Sequence, residues 1–348
     1  MQTPPTCMWL AELSLVRNEV SSALSRSMCP WLMRLSYPRM VRLATVALAL
    51  ALALTIGPGC GGSDAGPDET TVPPVADGFD AERAFADLRA QVALGPRPSG
   101  SGAARQASAA IAKRLRRAGV EGVRIQRPYA NVVARLPGST PGAVVLGAHY
   151  DTKDAIPRFV GANDGASGVA ILLELARSLP RPLPGPSVEL AFFDAEEARG
   201  DRPFEVDGTR GSRQYVELAR AGGEQGSPPI GEVAAMVLFD MVGDCDLRIP
   251  LEANSDPGIY ELFAAAAQAR TGSPAPFEGR TGAIGDDHLP FVEAEVPAVD
   301  LIDLDYGPGP MPGRWWHTPQ DTLGKVCAES LDAVGEAALA AIPAIRGE

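Results

Sequence analysis

From residue 131 onward, uninterrupted apolar runs alternate with segments whose apolar residues recur at helical spacing, and few folds accept that alternation. The runs NVVARL (131–136), AVVLGA (143–148), VELAFF (188–193), AAMVLF (234–239) and residues 296–302 read as strands. A strand with no polar face is one covered on both sides. Residues 166–178, 258–270 and 330–345 read as helices, with Val169, Leu172, Leu173 and Ala176 on one face of the first. Two more helices precede the strands: residues 80–92, with Asp80 as N-cap and Gly95-Pro96 as a stop, and residues 104–118, ending at Gly119. The pattern predicts an α/β class fold, a mostly parallel central sheet flanked by helices on both faces, as one domain over residues 79–348.

The chain has 348 residues, 45% of them hydrophobic, and a net charge of −12. That composition supports a sizeable core and rules out wholesale disorder. An acidic chain without a basic run argues against nucleic acid as a partner. Residues 43–56 (LATVALALALALTI) are apolar but too short for an ordinary membrane span, and Arg34, Arg39 and Arg42 precede them. Gly-Pro-Gly-Cys follows and ends at Cys60, with Gly57 three residues before it. This resembles a bacterial lipoprotein signal with Cys60 lipidated; the alternative is a plain secretory signal. Residues 1–59 are then a signal region, with Met33 or Met40 as alternative starts, and 60–78 a lipidated cysteine and flexible tether. The expected location is the cell envelope, periplasmic or outer-membrane anchored, with the membrane touched only through the lipid. Cys7 and Cys29 fall outside the mature chain, and the sequence leaves open whether Cys245 and Cys327 pair.

In open α/β sheets, ligands bind beyond the carboxyl ends of the strands. Three strands here run into residues that can bind metal: His149, the stretch Asp194-Ala195-Glu196-Glu197, and Asp240. Asn163-Asp164-Gly165 and Trp315-Trp316-His317 lie on loops. Singly these are weak signals, since Asp164 also suits a helix N-cap and a strand-end acid is commonly a solvated turn. Together they supply imidazole and carboxylate, the ligands zinc takes. Asp164, Glu197 and His317 make one three-ligand site; His149 and Asp240 can hold a second ion, with Asp164 bridging at a metal spacing of about 3.5–4 Å. Glu196 is left without a metal, and a carboxylate among other acids in a dry pocket suits proton shuttling near neutrality.

The order His149, Asp164, Glu196-Glu197, Asp240, His317 resembles that of the zinc aminopeptidase family. AHYDTK (148–153), DDHLPF (286–291) and WHT (316–318) resemble the AHYDSK, DDHIPF and WHT segments of its glutaminyl-peptide cyclotransferase branch, the glutaminyl cyclases. The resemblance runs from about residue 79 to the C-terminus and implies a zinc-exopeptidase-like domain acting on peptide or protein N-termini. It implies Zn2+, one ion in cyclases and two in aminopeptidases. In the cyclase reading Glu196 moves a proton from the α-amine to departing ammonia, and N-terminal glutamine becomes pyroglutamate. Asp240 and Asp286 hold Glu196 and the reacting amide, Trp316 forms a pocket wall, and Ile284 and Gly285 offer backbone contacts. Two alternatives stand beside it: a two-zinc metalloaminopeptidase, and a lipoprotein that binds peptide or metal without turnover. The chain also departs from the animal cyclases. Ala198 to Pro203 replaces a stretch with a pocket tryptophan, Ala148 replaces a disulfide cysteine, and Gly285 replaces a glutamine.

Overall fold

A computed structural model describes residues 78–345. The signal run and Cys60 lie outside the described residues. The strands are β1 (Arg124–Ile125), β2 (Val132–Leu136), β3 (Ala143–His149), β4 (Ser187–Phe193), β5 (Val233–Asp240) and β6 (Ala298–Ile302). They form one sheet in the order β1-β2-β4-β3-β5-β6. Neighbours within β4-β3-β5-β6 are parallel. β2 runs antiparallel to β4, and β1 to β2, so the mostly parallel sheet carries an antiparallel edge. Every residue of β3 and β4 is buried, which is why both read as unbroken apolar runs.

The helices are α1 (Ala81–Val92), α2 (Gly102–Arg117), α3 (Ser167–Ser178), α4 (Phe204–Asp207), α5 (Arg210–Arg220), α6 (Pro257–Thr271), α7 (Leu289–Val292) and α8 (Ala328–Ala341). Alternate strand residues divide between two cores, as a period of two requires. Val144, Leu146 and Ala148 of β3 join a large core with Leu88 of α1, Ile111 of α2, Leu172 of α3, Phe263 of α6 and Leu331 of α8. Val145 joins a smaller one on the other face with Phe193, Tyr215 of α5 and Phe291 of α7. α3 lies so close to β5 that a Cβ on Gly168 would sit 1.9 Å from the Phe239 carbonyl oxygen. That approach fixes the loop before α3 beside the end of β5.

Several boundaries differ from the sequence reading, each for a local reason. α2 starts earlier because Ser101 caps it, its Oγ accepting the Ala104 N–H at 3.0 Å. β6 starts after Pro297, whose ring removes the ladder donor. The last helix begins at Ala328 and ends at Ala341, and a 3-10 turn over Ile342–Ala344 carries Pro343. α5 has no counterpart in the sequence reading, and its buried face is only Tyr215, Val216 and Ala219 among polar residues. Asp164 does not cap α3, whose N-cap position is Ala166 without a side-chain bond. Cys245 and Cys327 form a disulfide that ties the loop after β5 to the start of α8. Among the described residues no helix is long and apolar enough to cross a membrane.

Candidate metal centre and active site

Because β3, β4 and β5 are parallel, their carboxyl ends share one edge of the sheet. His149 ends β3, Glu196 and Glu197 follow β4, and Asp240 ends β5. The loop before α3 brings in Asp164, and the loop after β6 brings in His317. His317 Nε2 lies 3.1 Å from Glu197 Oε1 and 3.4 Å from Asp164 Oδ2. His149 Nε2 lies 3.1 Å from Asp240 Oδ1 and 3.3 Å from Asp164 Oδ1. In each trio the ligand atoms lie within 4.8 Å of one another, and Asp164 belongs to both. Asp164 Oδ2 and Glu197 Oε1 are buried without a hydrogen-bond partner. Buried acceptors normally find a donor. Two orphaned carboxylate oxygens facing one imidazole nitrogen are what a zinc ligand set looks like without its ion, so these residues fit the metal.

The chain bends sharply to make this arrangement. Ala195, Met241 and His317 have φ of 61°, 49° and 49°, left-handed values that cost a side-chain-bearing residue free energy. Side chains behind the ligands fix those bends. Asp151 accepts the backbone N–H of Glu196 at 3.1 Å and of Glu197 at 3.4 Å. Asp321 accepts the N–H of Asn163 at 2.8 Å and of Asp164 at 3.1 Å, and is itself held by the Tyr306 hydroxyl at 2.7 Å. Arg97 is fully buried and donates to the carbonyls of Tyr150, Val160 and Gly161, which joins the end of β3 to the Asp164 loop. The Trp316 ring stacks on His317 with centroids 3.8 Å apart, and Phe159 meets His317 edge-on at 5.8 Å. The sequence reading missed Asp151, Asp321 and Arg97 as holding residues, because nothing in their local spacing distinguishes them from turn residues.

The charges at this edge compete. Burial works to lower the His317 imidazole, but the facing carboxylates of Asp164 and Glu197 outweigh it and push it up to about 10. Burial likewise works against a charged His149, and Asp240, Asp151 and Asp164 still hold it well above its ordinary value. Burial is the largest cause that pushes Glu196 well above the usual carboxylate range, with Glu197, Asp287 and Asp151 adding repulsion. Asp286 is raised in the same way by burial, then by Asp300, Asp240 and Glu196. Glu196 is outside the trio its neighbour joins; its Oε2 lies 3.8 Å from His149 Nδ1 and its carboxylate lines the adjoining cavity.

Residues 131–342 match peptidase family M28. The chain belongs to that family. A glutaminyl-peptide cyclotransferase of Bothrops jararaca is 29% identical over 241 residues, which are 59% of this chain and 62% of that protein. The chain therefore spans under two thirds of that relative. The crystal structure of an Acidobacteriales bacterium glutaminyl cyclase superposes with a TM-score of 0.67 at 34% identity, covering 77% of this chain and 95% of the other. A Zn-dependent exopeptidase from Parabacteroides distasonis superposes with a TM-score of 0.62 at 27% identity, covering 75% and 97%. Both the cyclase and the exopeptidase resemblances of the sequence thus recur among the similar proteins.

The M28 domain opens beside the trio into a cavity of about 650 Å3. Glu196, Asp240, Asp286, Ile284, Gly285 and Trp316 line it, which brings the remaining expected site residues together. The Ile284 N–H donates to Glu252 Oε2 at 3.2 Å. Asp286 does not cap α7; its Oδ1 accepts the Asp287 N–H at 2.6 Å. His288 is fully buried, with Nε2 3.2 Å from Glu252 Oε1. Phe204 supplies a wall that the sequence reading did not identify, since it lies just past the divergent stretch 198–203. A Cβ on Gly285 would sit 3.3 Å from its ring, so glycine there lets α4 pack against the cavity.

Proposed function

We propose that this chain is a zinc-dependent enzyme of peptide N-termini, and that its reaction is glutaminyl-peptide cyclisation. The observation that carries this reading is the division of the glutamate pair. Glu197 faces His317 and Asp164, while Glu196 lies buried at the cavity base with no place in either ligand trio. The names of its relatives favour glutamine as the substrate. Bound by Asp164, Glu197 and His317, a zinc ion would supply Lewis-acid polarisation of the side-chain amide carbonyl.

The chain's own groups do the rest. Glu196, raised by burial, takes a proton from the neutral α-amine as the amine nitrogen bonds to the side-chain amide carbon. It returns that proton to the amide nitrogen as the old C–N bond breaks, so ammonia leaves and the lactam keeps its N–H. Asp286 and Asp240 line the base beside Glu196. Trp316 and Ile302 add apolar lining beside the base, with Trp316 stacked on His317.

The second trio, His149, Asp164 and Asp240, favours a two-metal aminopeptidase as the alternative reading. Product analysis on paired Gln-led and Leu-led peptides separates the two. Pyroglutamyl product with ammonia supports cyclisation; free leucine without cyclisation supports the alternative.

A further inference from the structure

Residues 281–286 line the cavity as one continuous wall that ends at Asp286. The stretch has no helix or strand of its own, since α6 ends at Thr271 and α7 begins at Leu289. Such a wall takes its shape from whatever its backbone groups bond to. Here that is the segment 251–254, which follows β5. The Thr281 N–H donates to the Leu251 carbonyl at 3.0 Å, and the Ala253 N–H donates to the Gly282 carbonyl at 3.4 Å. Nearer Asp286 the partners become side chains. The Ile284 N–H donates to Glu252 Oε2 at 3.2 Å, and Asn254 Nδ2 donates to the Ile284 carbonyl at 3.3 Å. On the far side of Asp286, His288 Nε2 faces Glu252 Oε1 at 3.2 Å. One carboxylate thus meets the chain two residues before Asp286 and two residues after it. Glu252 is itself fixed. It is fully buried, its Oε2 also accepts the Asn254 N–H at 2.9 Å, and its Oε1 accepts the Ser255 hydroxyl at 2.7 Å. Ser255 Oγ in turn accepts the Asp300 N–H of β6 at 2.8 Å, which ties the group to the sheet. Burial works to raise the Glu252 carboxyl, but the His288 ring, the Asn254 N–H and Ser255 hold it below its ordinary value. An ionised carboxylate keeps both oxygens as acceptors.

We propose that Glu252, with Asn254 beside it, is a positioning residue that sets Asp286 against Glu196 in the cavity. The inference rests on the reading of that cavity as the reaction site. Asp286 and Glu196 are buried and both line it, whereas Glu252 does not, so Glu252 acts through the wall and not on the substrate. A misplacement of about 1 Å at a reacting group costs about 100-fold in rate. Glu252→Gln keeps the shape, but its amide NH2 cannot accept, so one of the two sets of donors loses its partner.

The test measures kcat and KM with Gln-led peptides on the zinc-loaded wild type, E252Q, N254A, D286N and the doubles E252Q/D286N and N254A/D286N. E252Q is expected to lower kcat about ten-fold with KM little changed. N254A, at an exposed position that supplies one bond to the wall, is expected to lower kcat by a smaller factor. A residue that acts through Asp286 has nothing left to act on once that carboxyl is gone, so neither substitution is expected to cost anything further in the D286N background. The same loss repeated in that background, wild-type kcat in E252Q, or wild-type kcat in D286N would overturn the proposal. If E252Q does not fold, N254A carries the same comparison. If only Leu-led peptides are turned over, the cyclisation reading fails separately, and the comparison is read by hydrolysis. If neither series gives product, the reading of the site fails, and hydrogen exchange over residues 281–288 judges Glu252 by itself. Faster exchange there in the variants supports a wall held by Glu252 and Asn254, and exchange equal to the wild type overturns it.

Discussion

Two regions of this molecule bury carboxylates, and they treat them in opposite ways. On α3, Glu174 is fully buried, yet it accepts from Arg83 Nε and Arg177 Nη1 at 2.8 Å and from Ser178 Oγ at 3.0 Å. Asp87 beside it accepts from Arg114 Nε at 2.6 Å and also faces Arg177. At and behind the strand-end site, Glu196, Asp286 and Asp300 of mid-β6 are buried as well, and neither Asp300 oxygen has a hydrogen-bond partner. Burying a carboxylate without a cation costs several kcal/mol. The α1–α3 acids offset that cost with guanidinium groups and are structural. The acids around the site bear it, and under the proposed function the cation's place is left to a metal and a substrate amine.

The largest expected effect would break the contrast outright. Glu196→Gln should lower kcat by about 10^2–10^4-fold while the thermal melt stays the same or rises, because a neutral amide replaces a carboxyl that burial already pushes up. Wild-type turnover in that variant, read by ammonia release, would remove the functional meaning of the unpaired acids. Metal removal comes next. Dialysis against a chelator should abolish turnover and lower the melting temperature, with zinc restoring both; a ligand at 1,000 times its Kd adds about 4 kcal/mol of stability.

The opposite region gives the opposite outcome. Glu174→Ala should cost on the order of 1–3 kcal/mol in urea unfolding by removing the buried acceptor that Arg83, Arg177 and Ser178 share, with activity per folded molecule unchanged. Glu189 sharpens the comparison from between. It is buried in β4, pairs with half-exposed Arg135 at 3.1 Å, and burial pushes its carboxyl up to about 8. A folded value above the unfolded one means the folded chain holds the proton longer. Its contribution is complete below about pH 4.5 and is lost as pH rises toward about 8. Glu189→Gln should flatten that decline by on the order of 1–2 kcal/mol, measured as melting temperature against pH.

Much of this was legible without coordinates. The apolar runs fix strand positions because a doubly covered strand admits no polar face, and the residues ending three of them gave the ligand types. What escaped was whatever depends on a partner distant in the chain. α5 was invisible because three apolar residues suffice for a helix that packs on an existing sheet. Arg97 was passed over because its partners are carbonyls at 150, 160 and 161, and a guanidinium bonded to backbone leaves no mark in composition.

The order of residues alone determined an α/β chain with imidazole and carboxylate at its strand ends, since burial pattern and ligand chemistry are properties of residue type. Tertiary structure decided where each carboxylate lies. Glu196 and Glu197 are chemically identical neighbours, and only the turn at Ala195 and the Asp151 bonds to both backbone N–H groups send one to the ligand trio and leave the other in the cavity. A role set by direction and distance requires the fold, because the sequence holds the donor atoms without the angles that aim them.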